Sequence, residues 1–531
     1  MDEEPKPADS GDASPSEGIS RRALLTTGAA ATVIGAGIGA GGVALLRSPA
    51  HGPTLWMRPD RSGAEPVHGL HLQFGKNAAT EVVVSWNTIE AVNNPRVILG
   101  TSTSDFGHVV PAQTRTYRDA QSKTEVRVNH AVLSNLTPDT DYVYAAVHDG
   151  ATAELGTVRT APSGRSPLRF TSFGDQGTPT LGRLQDNVYV NDNLGSPAAG
   201  DITAAVERMG PLFNLINGDL SYANLAHDRI RAWSDWFASN TWSARYRPWM
   251  PTPGNHESEL GNGPIGYAAY QTYFALPDTG SDAAARGLWY SFTAGSVRVI
   301  SLSTADVCFQ DAGKSYVRGY SGGAQRRWLE TELAEARINR EVDWVVVCMH
   351  QTAISTADHA NGADLGIRQE WLPLFDRYQV DLVLCGHEHH YERSHPVRGT
   401  LDTETRTPIP VETHGDIIDS TKGTVHVLIG TGGTSLPTNT RLFPEPRCQV
   451  ITGVGAFNPA IKRKVPIHVA EDAPWSAFRD RQNPCGFAVF DVDPGSPGGN
   501  TSIKATQYAV NGPDGAINVV EQFTLTRPRG G

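Results

Sequence analysis

The sequence predicts a β-sandwich followed by a larger α/β domain, and three observations carry this. Residues 67–163 hold short runs that alternate in polarity or are β-branched, with turn residues between them. APSGRSP (161–167) reads as a linker. Beyond it, brief apolar runs alternate with helical stretches, the pattern of an α/β domain.

In chain order, residues 1–50 read as an address rather than a fold. A polar tail, 1–19, leads to Ser20-Arg21-Arg22-Ala23-Leu24-Leu25-Thr26. The stretch from Ala23 to Leu46 carries no charge and is rich in Ala and Gly. Its length permits a membrane span, but its weak hydrophobicity favours an export signal. The arginine pair is similar to a twin-arginine signal, S-R-R-x-F-L-K, with Leu24 and Thr26 departing from it. Export of a folded chain to the envelope or beyond is expected. Ser48-Pro49-Ala50 is a poor cleavage site, so an uncleaved segment is the one membrane attachment expected.

LHLQF (70–74), EVVVSW (81–86), RVILG (96–100) and DYVYAAV (141–147) read as sandwich strands, with LTPDTDY (136–142) turning into the last. No cluster of His, Asp or Glu there could do chemistry, so the region reads as a structural or docking module. In the α/β domain, LRFTSFGD (168–175), FNLINGD (213–219), VRVISLST (297–304), DWVVVCMH (343–350) and VDLVLCGH (380–387) have the composition of strands buried on both faces. Helical patterns lie between them, one placing Trp233, Trp236 and Phe237 on a single core-facing side. Residues 438–482 read as an irregular surface excursion, and CGFAVFDVDPG (485–495), TSIKATQYAV (501–510) and EQFTLTRPR (521–529) as closing strands.

A length of 531 residues allows large cores, and 39% hydrophobic with 19% charged residues fits a globular chain. A net charge of −11 argues against a dedicated nucleic-acid binder, which needs a basic face. It leaves small phosphorylated substrates open, because a bound metal reverses the local field. Five cysteines without CxxC spacing are no disulfide framework, although a Cys448–Cys485 bridge is compatible with them.

The informative fact is where the polar residues land. The strand-like runs end at Asp175, Asp219, Asn255-His256, His350 and His387, and GHEHHYER (386–393) adds His389 and His390. In open α/β sheets ligands bind beyond the carboxyl ends of the strands. Glycine precedes Asp175, Asp219, Asn255 and His387, which suits sharp turns needing unusual backbone angles. Each fragment alone has an ordinary reading: a chance Gly-Asp, a helix cap, a core histidine. Together they supply more donors than one zinc site needs. They suffice for two metals sharing a carboxylate, the arrangement used in phosphoryl chemistry. Asp219 suits the shared position because it lies between the other groups in the chain.

The series Asp175-Gln176-Gly177, Gly218-Asp219-Leu220-Ser221-Tyr222, Gly254-Asn255-His256-Glu257, His350 and Gly386-His387-Glu388-His389 resembles the calcineurin-like metallophosphoesterases. Tyr222 and the continuation Tyr391-Glu392-Arg393 narrow the resemblance to purple acid phosphatases, and NGPIGYAAYQTYF (262–274) is similar to actinobacterial members. The resemblance implies a fibronectin-III-like sandwich at 67–163 and a four-layer α/β/β/α catalytic domain at 167–528. It implies that Asp175, Asp219, Tyr222 and His389 hold one metal, and Asp219, Asn255, His350 and His387 the other. A phenolate ligand suits Fe(III), so Fe(III) is expected at the first site and Zn, Mn or Fe(II) at the second. His390 is then spare, an outer or surface group.

The resemblance further implies an acid phosphatase that cleaves phosphate monoesters by in-line attack of a metal-bound hydroxide. His256 would contact the phosphate. His359, nine residues past His350, would protonate the leaving group, although Ala360 stands where many relatives carry a second histidine. Two other readings stand beside this one: a phosphodiesterase acting on nucleotides or lipid head groups with the same metals, and a non-catalytic envelope module that binds through its sandwich.

Overall fold

A computed structural model of the chain describes residues 65–530 except 102–105, 180, 186–187, 192, 311–316, 461–462 and 513–515. The segment read as an export signal lies outside them. No helix among the described residues is long and apolar enough to cross a membrane. Arg61–Gly531 make one compact unit.

The sandwich forms as expected, from two four-stranded antiparallel sheets. One orders His68–Phe74, Val82–Thr88, Glu125–Leu133 and Gln113–Arg118; the other orders His108–Pro111, Arg96–Thr101, Asp141–Val147 and Glu154–Arg159. Period-two patterning decides which side chains face inward. Leu70, Leu72 and Phe74 enter the core from one strand, and Val82, Val84 and Trp86 from its neighbour.

Two seven-stranded sheets stack in the larger domain. In the first, Trp249–Pro251, Phe213–Ile216 and Leu168–Phe173 run parallel side by side, continued by the closing strands Gly486–Asp493, Asn500–Val510 and Ile517–Pro528, with Ile417–Asp419 at the edge. In the second, Val297–Ser301, Trp344–Cys348, Leu382–Cys385 and Val425–Ile429 are parallel neighbours. Trp344, Val346 and Cys348 point into the core between the sheets. Val345 and Val347 point the other way, onto helices Ala324–Ile338 and Leu372–Arg377. Helix Ala198–Arg208 covers the closing strands of the first sheet. The order is therefore helix, sheet, sheet, helix.

The sandwich and the α/β domain share a continuous core. Helix Arg229–Ala244 lies against strand His68–Phe74. The rings of His71 and Phe237 stand 4.7 Å apart across that contact, and Trp233 and Trp236 are buried beside it.

One expectation is corrected, and one open pairing is resolved. Much of 438–482 is regular rather than irregular: Arg447–Asn458 and Arg463–Asp472 form a long antiparallel hairpin, and Ser476–Arg479 joins the second central sheet. Arg368, fully buried, ties this hairpin down by its ion pair with Glu471 at 2.8 Å. No Cys448–Cys485 bridge forms; all five cysteines are free, and the Cys448 thiol lies 3.6 Å from the Arg368 guanidinium.

Candidate metal centre

The parallel strands of both sheets deliver the candidate ligands. Asp175 follows Leu168–Phe173, Asp219 follows Phe213–Ile216, Asn255 follows Trp249–Pro251, His350 follows Trp344–Cys348 and His387 follows Leu382–Cys385. Of the glycines before them, Gly218 takes the unusual angle expected, with φ of 83°, whereas Gly174, Gly254 and Gly386 serve close approach instead, which corrects the expectation for those three. A Cβ on Gly254 would stand 2.2 Å from Asp219 Oδ1, and one on Gly386 2.5 Å from Asp175 Oδ2. The left-handed backbone also falls on the candidate ligands Asp175, Asp219, Tyr222 and His387, with φ of 58°, 51°, 55° and 80°. Such conformations are uncommon for Asp and His and rarer for a bulky Tyr, and they concentrate at functional sites.

The side chains gather in two groups. In the first, three atoms surround His350 Nε2: Asp219 Oδ2 at 3.0 Å, Asn255 Oδ1 at 3.0 Å and His387 Nδ1 at 3.1 Å. His350 Nδ1 donates to the Asn217 carbonyl at 2.7 Å, which leaves Nε2 facing the group. One proton on either imidazole serves one of the three contacts and leaves others lone pair against lone pair. A cation relieves that conflict. Among the described residues, Asp219, His350 and His387 are the one set of three His, Cys, Asp or Glu side chains whose donor atoms all lie within 4.8 Å of each other.

In the second group, the Tyr222 hydroxyl lies 3.4 Å from Asp175 Oδ1 and 3.3 Å from His389 Nε2, and those two atoms are 3.5 Å apart. His389 Nδ1 donates to the Leu436 carbonyl at 2.6 Å, turning Nε2 inward. The His387 backbone N–H donates to Asp175 Oδ2 at 2.8 Å and so joins the groups. The structure thus brings all seven metal-ligand candidates together: Asp219, Asn255, His350 and His387 in one group, and Asp175, Tyr222 and His389 in the other.

Electrostatics follow from burial. Burial would raise the Asp219 carboxyl, but His350 and His256 outweigh it and hold it well below its ordinary value. Burial would lower His350, yet Asp219 lifts it to about 9. Burial, with Asp175 and Asp219 adding to it, pushes the Tyr222 phenol well above its usual range. A bound cation is what would draw that proton off.

His256 lies at the rim. Its ring stands 4.5 Å from that of Tyr222, its backbone N–H donates to Asp219 Oδ1 at 2.9 Å, and its Nδ1 donates to Asn224 Oδ1 at 2.8 Å. His359 is not brought to the cluster. Its side chain is 93% exposed, and its charged neighbour is Asp358 at 3.6 Å. His390 is an outer group but no surface one: fully buried, it bonds Glu392 Oε2 at 3.1 Å and Thr438 Oγ1 at 3.0 Å.

Two supporting residues have roles that the sequence does not show, although Glu257 stands in the motif Gly254-Asn255-His256-Glu257. Glu257 accepts the backbone N–H groups of Gly254, Asp219 and Leu220 at 2.7, 2.9 and 2.8 Å, pinning two strand ends together. Burial, with Asp219 beside it, pushes its carboxyl up to about 8. Asn224 orients His256, and only its place two residues past Tyr222 marked it.

The match to known proteins follows this geometry. A family model for the purple acid phosphatase N-terminal domain matches residues 67–160, and one for calcineurin-like phosphoesterases matches residues 182–391. An uncharacterised protein of Mycobacterium tuberculosis is 74% identical over 528 residues, covering 99% of both chains. The Fe(3+)-Zn(2+) purple acid phosphatase 12 of Arabidopsis thaliana is 27% identical over 400 residues, covering 72% of this chain and 76% of its own. A purple acid phosphatase from yellow lupin seeds shares the fold, with a TM-score of 0.61 at 21% identity over 87% of this chain and 75% of its own. This chain belongs to the purple acid phosphatase family of calcineurin-like metallophosphoesterases.

Proposed function

We propose that the chain hydrolyses phosphate monoesters at a two-metal centre. The observation that carries this is the crowding of Asp219, Asn255 and His387 around His350 Nε2 beside a buried Asp175–Tyr222–His389 group. Asp175, Tyr222 and His389 would hold Fe(III); Asn255, His350 and His387 would hold Zn, Mn or Fe(II); Asp219 would be shared. The hard phenolate favours the ferric ion, and the name of the Arabidopsis relative carries the Fe(3+)-Zn(2+) pair. When bound, the two cations would neutralise phosphate charge and activate water as the nucleophile.

The chain's own residues supply the rest. Asn217 and Leu436 fix the tautomers of His350 and His389, so each presents its Nε2. Asn224 holds His256 so that its Nε2 faces the site, 3.9 Å from Asp219 Oδ2. Burial lowers the pKa of His256, so the ring is neutral until an anion arrives beside it. Once protonated, it donates to the phosphate and is placed to pass that proton to the leaving alcohol. His359, turned to solvent, has no part in this step. The substrates are small phosphorylated molecules, met outside the cytoplasm if the amino-terminal pattern acts as an export signal.

The test compares nitrophenyl phosphate with bis(nitrophenyl) phosphate on the metal-loaded protein. A monoesterase gives a kcat/KM at least about tenfold higher for the first. The reverse order would make the chain a phosphodiesterase, and metal-independent absence of turnover would favour a binding module.

A further inference from the structure

We infer that the β-sandwich is a positioning element of the active site: one of its turns fastens both loops that hold His256. This rests on the reading of His256 as the phosphate contact. The turn 119–124 joins strands Gln113–Arg118 and Glu125–Leu133 and reaches across to the catalytic domain.

Asp119 is fully buried, and Ser122 N–H and Gln121 N–H donate to its Oδ2 at 2.6 and 3.1 Å, which shapes the turn. Its Oδ1 accepts from Asn262 Nδ2 at 3.2 Å and stands 3.5 Å from the Arg229 guanidinium. The next residue, Ala120, donates its N–H to Asn262 Oδ1 at 2.7 Å. Asn262 is 1% exposed and closes the loop that begins at Asn255-His256. A Cβ on neighbouring Gly261 would stand 2.6 Å from that of Ala120, so the two chains are in close contact there.

The same turn also holds the other loop. Gln121 Nε2 donates to the His227 carbonyl at 2.7 Å, three residues past Asn224, the partner of His256 Nδ1. Arg229 closes the bracket by donating to the Leu260 carbonyl at 3.1 Å. Neither loop lies within the two central sheets, so nothing in their ladders sets the distance between Asn224 and His256. Glu257 pins the two loops where they leave the sheets, and the sandwich turn, bonded to both, ties them again farther out.

The experiment uses the full metal-loaded chain, nitrophenyl phosphate as substrate and inorganic phosphate as inhibitor. Four variants are compared: Asn262→Ala, Gln121→Ala, His256→Ala, and the double variant carrying Asn262→Ala with His256→Ala. The expected result is a KM and a phosphate inhibition constant raised about tenfold in Asn262→Ala and about threefold in Gln121→Ala, at unchanged metal content. In the double variant both constants should equal those of His256→Ala alone, because the turn acts through that ring. Gln121 is exposed, so its variant decides the matter if Asn262→Ala does not fold. A lower melting temperature with unchanged constants in both variants would overturn the inference. So would a full Asn262→Ala effect persisting without His256. If His256→Ala itself leaves phosphate inhibition unchanged, the reading of His256 fails first, and the inference with it.

Discussion

The floor and the rim of the site are built by different means. On the floor, Asp219, His350 and His387 stand two or three residues beyond strands of two buried sheets, and His350 is fully buried. On the rim, His256 and His359 sit on loops. His256 is held by side-chain bonds to Asn224 and a ring contact with Tyr222, whereas His359 is turned to solvent. A sheet places the residue after its last strand position almost regardless of side chain, so the floor is set by topology. A loop places nothing unless specific bonds fix it, so the rim depends on residues that carry no chemistry themselves.

The largest effect should come from the floor. Asp219→Ala removes the carboxylate that meets His350 and His256, and hydrolysis should fall by at least about a thousandfold with loss of both metals. Metal analysis beside single-turnover rates checks this; retained activity would break the claim that one carboxylate serves both ions.

A second effect, on stability, should come from the titration of Glu259 in the rim's support. Glu259 is buried on the loop behind His256, and accepts from Trp233 Nε1 at 2.7 Å and Asn262 Nδ2 at 2.6 Å. Burial pushes its carboxyl up to about 7 from 4.5. Between those values the unfolded chain loses a proton that the folded chain keeps, so stability should fall as pH rises from about 4.5 to about 7 and then level. At full linkage the fall is on the order of 3 kcal/mol. Denaturant titrations of the protein and of Glu259→Gln across that range should show a slope in the first that is missing from the second.

The smallest effect belongs to His359. His359→Ala should change kcat/KM by less than about threefold, since an exposed side chain away from the cluster contributes little. A hundredfold loss in kcat would mean that the loop closes over the substrate and that the rim is larger than this structure shows.

The same contrast explains what was legible in the sequence. The sandwich and the buried parallel strands announce themselves by period-two and continuous apolar runs; Asp175, Asp219, Asn255, His350 and His387 are legible from their places past strand ends, and Tyr222 and His389 from the motif they share with the family. The hairpin from Arg447 to Asp472 was hidden. It is half exposed, its pairing slips at Ile451/Gly453 and Val454/Phe457, and Pro466 and two glycines interrupt it, so no clean alternation survives. The glycines before the ligands are legible, but their reasons differ: Gly218 takes a positive φ, as Asp175, Asp219 and His387 do, while Gly174, Gly254 and Gly386 make room. Asn224 and His359 could not be placed, because spacing along a loop does not give its path in space. The distance of nine residues from His350 to His359 says only how far the loop could reach.

The central claim is that Tyr222 and Asp175 belong to a metal site rather than to packing. The direct measurement is the visible absorption of the purified protein beside its Tyr222→Phe variant, with metal analysis of both. The account predicts a phenolate-to-iron band in the first, absent from the second, with iron and a second metal bound per chain. An active, colourless, iron-free protein would contradict the ferric assignment, and a band that survives in Tyr222→Phe would contradict the ligand.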